Sequence, residues 1–211
     1  MPRASGKLIY QFKITLAGIT PPIWRRIQVP EEYTFWDLHV AIQDAMGWLD
    51  YHLHAFILPS STAAQTVEIG IPDNESAHVK TIPGWTVAVG DQFIRPGVSL
   101  KYEYDFGDGW EHDVLLEAVL LAEPRAKYPV CLGGERACPP EDCGGIPGYA
   151  RLMKILKNPK HREYSEMADW LENRHAKNYW PYDPRVFDPR AIRFFDPKKR
   201  WALAFSGSAD K

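Results

Sequence analysis

The chain has 211 residues, of which 45% are hydrophobic and 25% charged, and it carries eight Trp, ten Tyr and nine Phe. This composition excludes intrinsic disorder and is typical of a folded protein that is large enough to bury a core. No apolar run approaches the ~20 residues that span a bilayer, and the N-terminal segment lacks the features of a signal peptide, so we expect a cytoplasmic protein without a membrane segment. Three cysteines without an export signal favour reduced thiols over a disulfide framework.

The formal net charge is only −2, but charge is distributed unevenly along the chain. Residues 1–30 hold five basic residues and no acid, residues 31–123 hold 16 acids against three bases, and residues 124–211 hold 17 bases against 11 acids. Because the acidic central part repels phosphate groups, we expect any nucleic acid to contact only the basic termini.

The start of the chain predicts a β-hairpin. Residues 7–18 and 23–29 have the alternation of strands, and Gly18 and the pair Pro21-Pro22 separate them. The second strand carries Arg25-Arg26, which we interpret as solvated charges on an edge strand.

A helix follows the hairpin. Thr34 and Asp37 have the spacing of a capping box, and Gly47 supplies a C-terminal cap. His39 lies outside the apolar stripe of this helix, so we expect it to be exposed or half-exposed.

Residues 52–58 then predict a strand, on which His52 and His54 share one face because side chains alternate. Two such imidazoles can chelate one metal ion, and hydrogen-bonded structural histidines are the alternative. Between residues 59 and 99 we expect one strand at 66–71 and otherwise irregular structure.

The stretch from Tyr102 to His112, YEYDFGDGWEH, predicts a second hairpin within residues 100–120. One interpretation makes Asp108-Gly109 a two-residue turn and places Asp105 opposite His112. The other makes residues 107–109 the loop, pairs Phe106 with Trp110, and keeps the apolar side chains of both strands on one face. We favour the second, because turning an apolar face to water costs more than a few solvated repulsions.

The favoured register gathers acidic side chains on the other face, so that like charges repel unless a cation stands opposite them. We therefore predict a binding surface with Arg136 as the cation, ahead of a metal ion. Its residues are Glu103, Asp105, Asp108, Glu111, Asp113 and Arg136.

The segment at residues 131–145, CLGGERACPPEDCGG, is too rich in Gly and Pro for a helix or a central strand. Its thiols and carboxylates, together with the histidines, can supply ligands for a divalent metal such as zinc, although the cysteine spacing is not that of a structural zinc knuckle. The candidate ligands are His52, His54, His112, Cys138, Glu141, Asp142 and Cys143. The alternative is a tight loop whose cysteines are small buried hydrophobic residues.

The remaining pattern predicts helices at 149–156 and 164–175, a short helix from Asp188-Pro189 to Arg193, and a solvated tail at 198–200. The fold class is therefore α+β, with a mixed, mainly antiparallel sheet that opens ββαβ and with C-terminal helices packed on it. We expect a body at 1–123, and a part at 124–211 that packs on it within one compact domain.

The order of WRRIQVP, HLHAF, YDFGDGWEH, ACPPEDCGG and GYARLMKIL over residues 7–197 resembles the family of the Ri-plasmid ORF-three protein, which is also labelled a TnpR-like passenger protein of insertion elements. The resemblance implies an α+β domain found in plasmids, mobile elements and chromosomes, without an established activity. A resolvase function finds little support, because the nucleophilic serine amid arginines and the basic helix-turn-helix of serine recombinases are not legible.

Three functional hypotheses follow. The first is a non-catalytic binding or adaptor module for a protein or small ligand, since the chain lacks a P-loop, G-x-S-x-G, H-E-x-x-H and a dinucleotide fingerprint. The second is a metal-dependent, hydrolase-like enzyme that uses the His/Asp/Cys cluster. The third is an accessory protein of DNA mobility, which rests on the family label and the basic termini.

Overall fold

A computed structural model describes residues 7–59, 66–72 and 79–205. The strands are β1 (Leu8–Leu16), β2 (Ile23–Pro30), β3 (His54–Ile57), β4 (Thr66–Gly70), β5 (Val79–Pro83), β6 (Ser99–Tyr104), β7 (Trp110–Leu121) and β8 (Val130–Glu135). The helices are α1 (Phe35–Met46), α2 (Val89–Gln92), α3 (Gly145–Leu156), α4 (Tyr164–Asn173) and α5 (Pro197–Phe205), with short 3-10 turns at Gly84–Thr86 and Pro189–Ala191.

All eight strands belong to one sheet, in the order β5-β4-β3-β6-β7-β1-β2-β8. Neighbouring strands are antiparallel except β4 and β5, which are parallel. This confirms the α+β class, the ββαβ opening and the hairpin between residues 100 and 120. Strand β5 is a correction, because irregular structure was predicted there.

Helix α1 packs its apolar side on the sheet, and it begins and ends at the capping residues that the sequence predicts. The Thr34 side chain accepts a hydrogen bond from the Asp37 backbone, the Asp37 carboxylate accepts one from Thr34, and Gly47 ends the helix in the left-handed conformation. The buried ring of Phe35, at the start of α1, meets that of Phe56 on β3 edge to face, and the rings of Phe12 and Phe93 do the same. Within the described ranges no helix is long and apolar enough to cross a membrane.

Strand β2 was predicted to be an edge strand. It is not, because β8 pairs with the side of β2 that faces away from β1. Its two arginines are therefore not simply solvated. Arg25 is 1% exposed, and Arg26 forms a two-pronged ion pair with Glu117, with Nε and Nη2 at 2.6 and 2.8 Å from the carboxylate oxygens.

The loop of the second hairpin has five residues, 105–109, and both registers considered for it were wrong. Tyr104 pairs with Trp110 and Tyr102 with His112, two residues away from the favoured register. An even shift keeps the apolar faces together, so Tyr102 and Trp110 are buried as expected, but Phe106 leaves the core and is 47% exposed.

The C-terminal part covers the sheet and α1. Residues 198–200 are helical and not a solvated tail, because Arg200 forms ion pairs at 3.0 and 3.1 Å with Asp44 and Asp50. On the next residue of α5, the indole of Trp201 packs against that of Trp36. Contacts with distant residues therefore hold this segment against α1, although its basic charge alone predicts a solvated tail.

Candidate functional site

Three segments that are distant in sequence meet at one place on the surface. The loop before β3 brings His52, the hairpin loop brings Asp105, and the segment between β8 and α3 brings Asp142. One ligand atom from each of these three residues lies within 4.8 Å of the other two. Asp105 was predicted as part of the acidic binding surface, and His52 and Asp142 were predicted as metal ligands.

The three side chains lie close enough to hydrogen-bond to one another or to hold a small cation between them. His52 Nε2 lies 2.9 Å from Asp142 Oδ1 and 3.6 Å from Asp105 Oδ2. Ligand atoms bound tetrahedrally to zinc at 2.0–2.2 Å are about 3.3 Å apart, a value between these two distances. The side chains of His52, Asp105 and Asp142 are 31%, 9% and 53% exposed, so the cluster opens to solvent on one side.

The hairpin loop fixes the orientation of Asp105. The Asp105 Oδ1 atom accepts hydrogen bonds from the backbone N–H groups of Gly107 and Asp108 at 3.0 and 3.2 Å, which leaves Oδ2 directed towards His52. Asp105 adopts a φ of 57°, a conformation that carboxylate side chains tolerate better than most. The backbone N–H groups of its own loop therefore hold the Asp105 carboxylate in place.

Asp108 ties the hairpin loop to the segment that carries Asp142. Its Oδ2 atom accepts a hydrogen bond of 3.0 Å from the backbone N–H of Gly144. Asp108 was predicted as part of the binding surface, and the structure gives it this positioning contact.

Glu141 holds the other side of the cluster from within the protein. It is fully buried, its Oε1 accepts a hydrogen bond of 2.6 Å from the backbone N–H of Leu49, and the Tyr104 hydroxyl donates to the carboxylate at 3.1 Å. Burial raises the pKa of Glu141, and these donors only partly offset the effect. Glu141 therefore links the chain before His52 to Asp142, and it lies outside the ligand group.

His54 and His112 lie in the core and not at the cluster, so the structure does not bring His54 together with His52 as ligands of one metal ion. The ring of His54 stacks on that of His39 with centroids 3.4 Å apart and planes 6° apart. His112 Nδ1 lies 3.3 Å from the Tyr102 carbonyl oxygen. Burial lowers the pKa of both, to about 4 for His112, so both are neutral near pH 7.

The cysteines do not join the cluster either. Cys138 is 8% exposed and Cys143 is half-buried, and burial raises the pKa of the Cys138 thiol to about 12 and that of Cys143 further. A thiol with so high a pKa is a poor nucleophile, because nucleophilic attack needs the thiolate. Their positions accord with the alternative of small buried side chains.

The remaining acids line the open face of the hairpin. Glu103 lies opposite Glu111, while Asp113 faces Lys101, whose Nζ is 2.8 Å from the Asp113 carboxylate. Arg136 does not stand opposite these acids: it lies beside Tyr149 and lines a separate cavity with Asp183. The prediction that Arg136 is the cation opposite these acids is therefore wrong. The two-residue shift in register places Lys101 opposite Asp113 instead.

Sequence reasoning missed a buried polar network next to the cluster. His39 is fully buried, and its two ring nitrogens lie 2.8 Å from the Tyr102 hydroxyl and from the Asp50 carboxylate. Gln43 Nε2 donates to the same Tyr102 hydroxyl at 2.9 Å. His39 and Gln43 lie four residues apart on α1, a spacing that points both side chains to one face. This spacing of His39 and Gln43 is the feature of the sequence that could have indicated the buried network.

The family model described as plasmid pRiA4b ORF-3-like protein matches residues 8–191. An uncharacterised protein of Sinorhizobium fredii, y4hQ, is 34% identical over 163 residues, which cover 77% of this chain and 80% of that protein. The crystal structure of MM3350, a protein of unknown function from Methanosarcina mazei Go1, superposes with a TM-score of 0.76 at 38% identity and covers 90% of this chain and all of that one. The chain therefore belongs to the plasmid pRiA4b ORF-3-like protein family.

Proposed function

We propose that this chain is a binding module for a divalent metal ion, zinc foremost, which His52, Asp105 and Asp142 hold. The observation that carries the proposal is the convergence of one imidazole and two carboxylates from three segments within 4.8 Å. Imidazole nitrogen and carboxylate oxygen are ligands that zinc accepts, and manganese and iron take the same mixture.

The supporting structure around the cluster favours a built site over a chance group of surface charges. Asp105 is oriented by two backbone donors, and Glu141 and Asp108 anchor the segment of Asp142 on both sides. Groups that orient ligands in this way are typical of metal centres. Asp105 and Asp142 also place two negative charges near one imidazole, and a bound cation balances them.

Metal-assisted hydrolysis is a second candidate function, favoured by the number of ligands and the exposure of the site. Catalytic zinc sites keep three protein ligands and an open position for water, whereas structural sites are closed by four. An ion held by these three residues would lower the pKa of a water bound to it and would supply hydroxide near pH 7. The role of the protein is to hold the three ligands and leave one side accessible.

A titration of the metal-free protein with zinc chloride tests the binding proposal. We expect one zinc ion per chain, and a loss of binding in His52→Ala and Asp142→Asn, because each removes one of three ligands. Glu111→Gln is the matched control, since it removes an exposed carboxylate outside the cluster. If wild type binds no zinc, manganese or iron, the three side chains form only a hydrogen-bonded group on the surface, and the proposal fails.

We also propose a cellular location for this protein, together with its non-catalytic binding or adaptor role. We infer a cytoplasmic protein, and Cys131, Cys138 and Cys143, all free thiols, support this inference. A role in DNA mobility remains a prediction, and Arg25 and Arg26 do not favour it because both make internal contacts. Gel-shift titration at low salt, without retardation of any duplex, would exclude direct DNA binding.

A further inference from the structure

A cavity of about 420 Å³ lies between the C-terminal end of α1 and the arm that follows α4. Its apolar walls include Met46, Pro181, Val186, Phe187 and Ile192. This volume is within the range of small-molecule sites, which combine apolar walls with a few polar groups. The cavity is lined by none of the three proposed metal ligands.

Arg25 places a buried positive charge in the cavity wall. It is 1% exposed, and its guanidinium stacks on the ring of Phe187 with 3.8 Å between the central carbon and the ring centroid. Its Nε donates to the carbonyl of Ala45 at 2.9 Å, and its Nη1 donates to the carbonyls of Trp24 and Glu135 at 2.8 and 3.0 Å.

The guanidinium lacks a negative partner in the part of the chain that the structure describes. Its hydrogen-bond acceptors there are three neutral carbonyl groups, and its Nη2 atom has no acceptor among the described residues. A buried cation is costly to the fold unless an anion balances it. The carbonyl contacts explain why Arg25 is ordered, but they leave its charge unbalanced.

A second cation stands at the mouth of the same cavity. The ammonium group of Lys177 lies on the exposed rim and donates to the Gly47 carbonyl at 2.8 Å. The two acids of the lining do not neutralise either cation, because Asp183 pairs with Arg185 at 2.8 Å and Asp188 with Arg190 at 3.1 Å. The cavity thus presents two cations, with each acid of its rim occupied.

We propose that this cavity binds a small organic anion, with its carboxylate or phosphoryl group between Arg25 and Lys177 and its apolar body against Phe187 and Ile192. Guanidinium and ammonium groups bind both kinds of oxyanion through charge-assisted hydrogen bonds. The free Nη2 of Arg25 supplies one donor, and the Lys177 ammonium supplies another. The ligand balances the buried charge that the protein leaves without a partner.

Isothermal titration with phenyl phosphate, benzoate and inorganic phosphate tests the proposal on the full chain. We expect phenyl phosphate or benzoate to bind at up to millimolar concentration, and inorganic phosphate more weakly because it cannot use the apolar walls. Tighter binding of phenyl phosphate assigns a phosphoryl ligand, and tighter binding of benzoate assigns a carboxylate. Failure of all three probes to bind overturns the proposal.

Two surface variants locate the binding without disturbing the core. Lys177→Met removes the rim cation and should weaken binding about tenfold, the effect of losing one charge-assisted hydrogen bond. Val186→Trp fills the cavity from its exposed wall and should abolish binding. Lys154→Met is the matched control on α3 and should bind like wild type. Unchanged affinity in both Lys177→Met and Val186→Trp would place the probe elsewhere and refute the proposal.

Arg25 itself is tested in the wild-type protein, because replacing it endangers the fold. In nitrogen-15 spectra of the arginine side chains, the Arg25 resonances should shift in proportion to the phenyl phosphate bound. A saturating probe that leaves the Arg25 resonances in place would show that Arg25 only supports the end of α1, and the proposal would fail.

Discussion

Asp108 and Gly145 approach so closely that only a glycine fits at position 145. A Cβ atom on Gly145 would overlap with the carbonyl oxygen of Asp108, and Gly145 also adopts a φ of +63°. The hydrogen bond from Gly144 to the Asp108 carboxylate lies beside this contact. The hairpin loop with Asp105 and the segment with Asp142 are therefore fixed to each other by backbone contact.

Gly145→Ala should destabilise the protein and weaken zinc binding together, because the new methyl group pushes the segment of Asp142 away from the hairpin. Gly97→Ala is the control, since Gly97 has a φ of +91° but nothing within 4 Å of an added Cβ. That control should cost only the ~1–2 kcal/mol of a left-handed alanine. Urea unfolding and zinc titration measure both effects. Equal losses in the two variants would mean that the contact with Asp108 does not position the site.

Glu141→Gln should change how stability depends on pH. Burial raises the folded-state pKa of Glu141 above its ordinary value of 4.5, so the folded protein holds this proton more tightly than the unfolded chain. Its contribution to stability is present at low pH and is lost as the pH rises through the folded-state pKa. The wild-type free energy of unfolding should therefore fall relative to that of the variant as the pH rises above 4.5. A constant difference between the two proteins across this window would contradict the buried position of the carboxylate.

His112 should make the protein sensitive to acid. Its folded-state pKa is lowered by burial from 6.5 to about 4, so the unfolded chain takes up the proton first as the pH falls. The stabilisation is complete above pH 6.5 and is lost towards pH 4, with a magnitude on the order of 3 kcal/mol. His112→Asn should remove this part of the pH dependence in urea unfolding. An equally steep loss of stability in the variant would assign the acid sensitivity to other groups.

Glu111→Lys should stabilise the hairpin, because Glu111 faces Glu103 across the strands. Burial and the charge of Glu111 both raise the pKa of Glu103. Replacing a repulsive cross-strand pair by an attractive one is worth ~0.2–1 kcal/mol and should diminish in high salt. Glu172→Lys, an exposed site on α4, makes the same change in net charge and is the control. If both variants gain equally, the effect is one of net charge and not of the pair.

The sequence predicts elements well where the deciding interactions are local. Thr34, Asp37 and Gly47 define α1 at both ends, and the alternation in residues 100–104 assigns the correct face of β6. The family motifs also identify the segments that meet at the cluster. These features depend on neighbouring residues or on the period of the strand, both of which are visible in the chain.

The sequence fails where a distant partner decides. Alternation cannot show that the backbone N–H of Asp105 donates to the Leu53 carbonyl at 3.0 Å and that Asp105 leaves the strand pairing, so the hairpin register is wrong by two residues. The exposed position expected for His39 is likewise wrong, because Tyr102 and Asp50 satisfy both ring nitrogens inside the protein. Arg200 looks like part of a basic tail until Asp44 and Asp50 are placed beside it. Such contacts join residues that are far apart in the chain.

Anomalous X-ray diffraction from crystals grown with zinc tests the metal site most directly. We expect a zinc peak about 2.0–2.2 Å from His52 Nε2 and from one carboxylate oxygen each of Asp105 and Asp142, with water in the open position. Absence of a peak there, or a peak held only by other residues such as Cys138 and Cys143, would contradict the assignment of this cluster as a metal centre.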